Sequence, residues 1–122
     1  MTNMPDYMGA CDIIITKAGP GTISEALICG LPLVLNAYVP CQEEGNIPYV
    51  TDNGVGVFET KPKKVATIIK EWLKDDGERL KSLASKAKGL AKPDSLFQIV
   101  RDLSTMIHPS SPGFRAISRN VA

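Results

Sequence analysis

At 122 residues, 43% hydrophobic and 22% charged, the chain has the length and balance of a single folded domain with a modest core, which excludes a disordered or low-complexity tract. A net charge of +1 gives no overall argument for a nucleic-acid partner, and the lysines gathered over residues 61–92 read as solvated faces of amphipathic helices. Three cysteines without C-x-x-C spacing suggest neither a disulfide framework nor a zinc site, and no apolar run approaches the roughly 20 residues that span a bilayer.

In chain order, residues 12–16 form the first β-branched run and predict a strand. A glycine-rich turn, Lys17-Ala18-Gly19-Pro20-Gly21-Thr22, joins it to a helix expected to start near Thr22 and to stop before Gly30. Residues 31–36 read as a second strand. A second helix is expected from Gln42 to the Asn53-Gly54 turn, kinked or restarted at Pro48, and residues 55–58 read as a third strand. Strands alternating with helical segments predict an α/β fold, with a partial Rossmann-like, doubly wound parallel sheet.

Pro62 suits the first position of the next helix, where Val65, Ile68, Ile69, Trp72 and Leu73 make one apolar stripe. After Asp75-Asp76-Gly77, Leu80, Leu83, Ala84, Ala87 and Leu90 repeat the pattern. Leu96, Ile99, Val100, Leu103 and Ile107 repeat it again after Pro93. Residues 1–107 are therefore expected to form the domain, and residues 108–122, with His108 and two prolines, a loose tail. Three strands are fewer than a doubly wound sheet normally has, so the strand at 12–16 is expected to lack a neighbour.

The glycine turn matches neither the Walker pattern nor G-x-G-x-x-G. Its layout still offers backbone N–H groups at a helix N-terminus to phosphate, with Lys17 as a nearby cation. From spacing alone, an ordinary strand-to-helix turn fits as well. Thr22-Ile23-Ser24-Glu25 also has the form of a capping box, in which Glu25 answers the Thr22 backbone; alternatively the Glu25 carboxylate accepts from ribose hydroxyls. Gln42, Glu43 and Asn46 follow the second strand at the same sheet edge, where paired amide and carboxylate groups suit vicinal sugar hydroxyls or simply favour a helix start. No catalytic triad or metal cluster is visible, and no catalytic residue is assigned.

Met8-Gly9-Ala10-Cys11-Asp12, Thr16-Lys17-Ala18-Gly19-Pro20-Gly21-Thr22-Ile23, Glu25-Ala26, Gly30-Leu31-Pro32, Gln42-Glu43, Gly45-Asn46 and Pro48-Tyr49-Val50 together resemble plant monogalactosyldiacylglycerol synthases. The resemblance covers residues 2–72. It implies the C-terminal, donor-binding domain of a two-domain GT-B glycosyltransferase of the chloroplast envelope, which moves galactose from UDP-galactose to diacylglycerol with inversion. No cofactor is implied beyond the UDP-galactose donor, and membrane contact would be peripheral.

Carried over residue by residue, the resemblance makes Lys17, Gly19, Gly21, Thr22 and Glu25 the UDP site and Gln42, Glu43 and Asn46 the sugar site. Cys41 stands where the family usually has glycine, Asn36-Ala37 where it has Asn-Asp, and Cys29 where it has arginine. The family's N-terminal domain, which holds the lipid and supplies the base, is not among these residues, so the chain is expected to be a partial form, inactive alone. The alternatives are a nucleotide-sugar-binding subunit that needs a partner chain, a non-functional remnant, or a relative using another UDP-sugar such as UDP-N-acetylglucosamine.

Overall fold

The computed structural model describes residues 3–107. The described residues divide into two compact units, the first ending at Ala91 and the second beginning at Lys92. In the first, a three-stranded parallel sheet has the order β1 (Ile14–Lys17), β2 (Leu33–Ala37), β3 (Gly56–Phe58). Around it lie α1 (Met4–Gly9), α2 (Pro20–Cys29), α3 (Asn46–Asp52), α4 (Pro62–Trp72) and α5 (Glu78–Leu90). The partial doubly wound α/β fold is thus as expected, and β1 is an edge strand bonded to β2.

Alternation along β2 sorts the core into two layers. Leu33 and Leu35 point into one, with Ile23, Ala26 and Leu27 of α2, Val50 of α3 and Ala87 of α5. Val34 points into the other, with Val65 and Trp72 of α4 and the flanking Leu80 and Leu83. The α4 and α5 stripes therefore pack as their spacing requires. Leu73 does not: the helix ends at Trp72, and Leu73 is exposed.

Two glycines fit positions that a side chain would spoil. Gly30 ends α2 at φ +72°, with its N–H on the Leu27 carbonyl and the Leu31 N–H on that of Ala26, a double closure that needs a left-handed residue. Gly56 faces Leu33 across the sheet, and a Cβ there would lie 2.2 Å from the Leu33 carbonyl oxygen.

Two predicted helix starts are corrected. α2 begins at Pro20, with Gly19 extended before it and no side-chain cap, so the Thr22–Glu25 capping box does not form. Proline's fixed φ and missing N–H suit the first helical position, which draws the start two residues earlier. α3 begins at Asn46 rather than Gln42, because residues 40–45 form consecutive turns, with Cys41 at φ +65°. Pro48 then falls in the first turn of α3, where it neither kinks nor restarts the helix.

In the second unit, α6 (Ser95–Ile107) carries the periodic stripe, and Leu96, Phe97, Ile99, Val100, Leu103 and Met106 are all exposed. The expected tail, with His108, lies outside the described residues. None of the described helices is long and apolar enough to cross a membrane.

Candidate functional site

β1 and β2 run parallel, so the segments leaving their carboxyl ends emerge side by side. From β1 comes Lys17, then the turn Ala18-Gly19, then the N-terminus of α2. A register shift between Thr16 and Lys17 pairs Lys17 with Ala37, and Lys17 keeps the exposed place that the strand's alternation gives it. From β2 come the turns of residues 40–45 and then α3.

Because α2 starts on a proline with no capping side chain, the N–H groups of Gly21 and Thr22 have no partner within the helix. The first turn carries no acid, leaving the positive end of the helix dipole uncompensated. Glu25 is the sixth helical residue rather than a first-turn residue. Both Glu25 and Gln42 are exposed and form no side-chain hydrogen bond among the described residues.

The structure joins the two segments through three of the other predicted residues. Lys17 Nζ donates to Glu43 Oε1 in an ion pair, and the other Glu43 oxygen accepts the Val39 N–H at 2.9 Å. Glu43 is buried, at 7% exposure. The Lys17 hydrogen bond first, and the Val39 N–H second, hold its carboxyl below the ordinary value of 4.5 against the opposing effect of desolvation. Asn46 Nδ2 donates to the Ala18 carbonyl at 2.9 Å, tying the start of α3 to the glycine turn.

Sequence reasoning missed the Val39 N–H and the Ala18 carbonyl, since a backbone group carries no residue-type signal. The family's usual glycine at the position of Cys41 was the one clue to a left-handed residue there. Among the described residues there is no group of three or more His, Cys, Asp or Glu able to hold a metal. Chemically, the arrangement presents unpaired N–H donors, one ammonium and one anchored carboxylate, which together suit an anion joined to a polyhydroxylic group.

Fold and site thus define a Rossmann-like α/β domain with a glycine turn at its carboxyl edge. Residues 1–99 match the glycosyltransferase family 28 C-terminal domain, and the chain belongs to that family. It is 56% identical over 102 residues to "Monogalactosyldiacylglycerol synthase 3, chloroplastic" of Arabidopsis thaliana, covering 84% of this chain and 22% of that protein. To "Monogalactosyldiacylglycerol synthase 2, chloroplastic" of the same plant it is 49% identical over 111 residues, 91% of this chain and 24% of that protein. The corresponding figures for "Probable monogalactosyldiacylglycerol synthase 3, chloroplastic" of Oryza sativa subsp. japonica are 54% over 102 residues, 84% and 20%. The chain spans about a fifth of the length of the curated relatives it matches.

Proposed function

We propose that this chain is the donor-binding part of a UDP-galactose:diacylglycerol galactosyltransferase that makes monogalactosyldiacylglycerol at the chloroplast envelope. The observation that carries the reading is the junction of the glycine turn with the Lys17–Glu43 pair at one sheet edge, in a chain about half identical to proteins named for that synthesis. In this reading the domain comprises residues 1–107. The Gly21 and Thr22 N–H groups and the Lys17 ammonium hold the diphosphate over Gly19, whose own N–H is taken by the Lys17 carbonyl, and Glu25 accepts from the ribose. Gln42, Glu43 and Asn46 surround the galactose.

The reaction is a single displacement. A base supplied from outside these residues removes the proton of the diacylglycerol hydroxyl, whose oxygen bonds to the anomeric carbon as the bond to UDP breaks, with inversion. The N–H groups at the start of α2 stabilise the negative charge that develops on the departing UDP. No cofactor is required, and lipid contact is peripheral.

Calorimetric titration of this chain with UDP, UDP-galactose and UDP-N-acetylglucosamine tests the reading. UDP binding with a preference for UDP-galactose is expected. A folded chain that binds no UDP overturns the site, while a preference for UDP-N-acetylglucosamine overturns the donor sugar alone.

A further inference from the structure

The Lys17–Glu43 ion pair lies over the glycine turn itself. A Cβ built on Gly19 would stand 3.2 Å from Lys17 Nζ and 3.5 Å from Glu43 Oε1, so both charged ends occupy the space above that residue. The partners are held unequally. The Glu43 side chain is 9% exposed and has the Val39 N–H as a second anchor, whereas the Lys17 side chain is 55% exposed and has no other partner among the described residues.

That asymmetry decides which partner moves. Lys17 rides on a long flexible stem and its ammonium has three donors, so it can turn without disturbing the backbone. Glu43 is fixed from two sides. By holding the Lys17 ammonium over Gly19, the Glu43 carboxylate competes with any anion that approaches the start of α2 for that cation.

We propose that Lys17 and Glu43 form a charge-paired latch over Gly19, which a nucleoside diphosphate opens by drawing the Lys17 ammonium onto its phosphates, releasing the Glu43 carboxylate toward the attached sugar. The proposal rests on the donor-binding reading above. It makes Glu43 a competitor of the diphosphate and a partner of the sugar, two effects of opposite sign.

The test is calorimetric titration of this chain with UDP, UDP-galactose and uridine, comparing wild type with Glu43→Gln and Lys17→Met, each first checked for folding by circular dichroism. Glu43→Gln keeps an oxygen for the Val39 N–H but removes the charge. It is expected to tighten UDP by about threefold to fivefold, the scale of a partly exposed ion pair, and to give UDP-galactose a smaller gain or a loss. Lys17→Met is expected to weaken UDP and leave uridine unchanged.

If wild type binds UDP but Glu43→Gln binds it equally or more weakly, the latch is overturned and the donor-binding reading stands. If wild type, folded, binds no UDP, both fall. Should Glu43→Gln not fold, Glu43→Asp, which withdraws the carboxylate by one methylene, is expected to tighten UDP in the same direction. If neither folds, unchanged UDP binding by Lys17→Met overturns the latch.

Discussion

The side-chain amide of Asn46 donates to the backbone carbonyl of Ala18, 28 residues earlier in the chain, and this bond fixes the glycine turn to the first residue of α3. Ala18 is fully buried. Asn46→Ala therefore leaves a buried acceptor without its donor, and a loss of about 1–2 kcal/mol is expected in urea unfolding. A loss within error would mean that water replaces the amide.

Gly56 and Leu33 form a second test, at the sheet rather than the site. A Cβ at Gly56 would lie 2.2 Å from the Leu33 carbonyl oxygen and 2.8 Å from Val50 Cγ1, and neither a ladder carbonyl nor a core valine has room to retreat. Gly56→Ala is expected to cost about 3 kcal/mol, the upper end of ordinary overpacking. The unfolding midpoint would fall with an unchanged denaturant slope; an unaltered midpoint would show that β3 shifts freely against β2.

Cys41 takes φ +65°, a region that costs an L-residue roughly 1–2 kcal/mol. Cys41→Gly is expected to stabilise the chain by about 0.5–1 kcal/mol, the relief of strain being partly offset by the greater freedom of glycine in the unfolded state. Cys41→Ala, which keeps the Cβ, should give no such gain in thermal unfolding. Equal gains from both would trace the effect to the thiol.

Acid should weaken the first unit through Glu43. Its folded-state pKa lies below the ordinary value, with Lys17 as the main cause, so the contribution is fully present above about pH 4.5 and is lost as pH falls through the lower folded value. Glu59, Glu71 and Glu78 are shifted in the same direction, which makes the difference between wild type and Glu43→Gln the informative quantity. That difference should shrink between neutral pH and pH 3, and a gap independent of pH would deny the pair its role.

The elements could be read from local pattern because their causes are local. β-branched runs became strands, and Val65, Ile68, Ile69 and Trp72 became the inner stripe of a helix because 3.6-residue periodicity is what burial against a sheet selects. Where two local rules competed, the reading failed: Thr22 has the chemistry of a cap, but Pro20 has the geometry of a first residue, and geometry won. Leu73 continued the stripe in sequence after the helix had stopped. Of the site, the segments were visible, but the ties between them were not. Lys17–Glu43 and Asn46–Ala18 each cross more than 25 residues and depend on how two parallel strands bring their ends together.

The proline that opens α2 has a kinetic consequence. Since rigidity rather than a capping side chain sets the entry to the helix, its free N–H donors already stand where an incoming anion would use them. On the donor-binding proposal, capture would spend little free energy on ordering the receiving backbone, and the rate of arrival would be governed by encounter and by the proposed swing of Lys17 instead of by refolding of a loop.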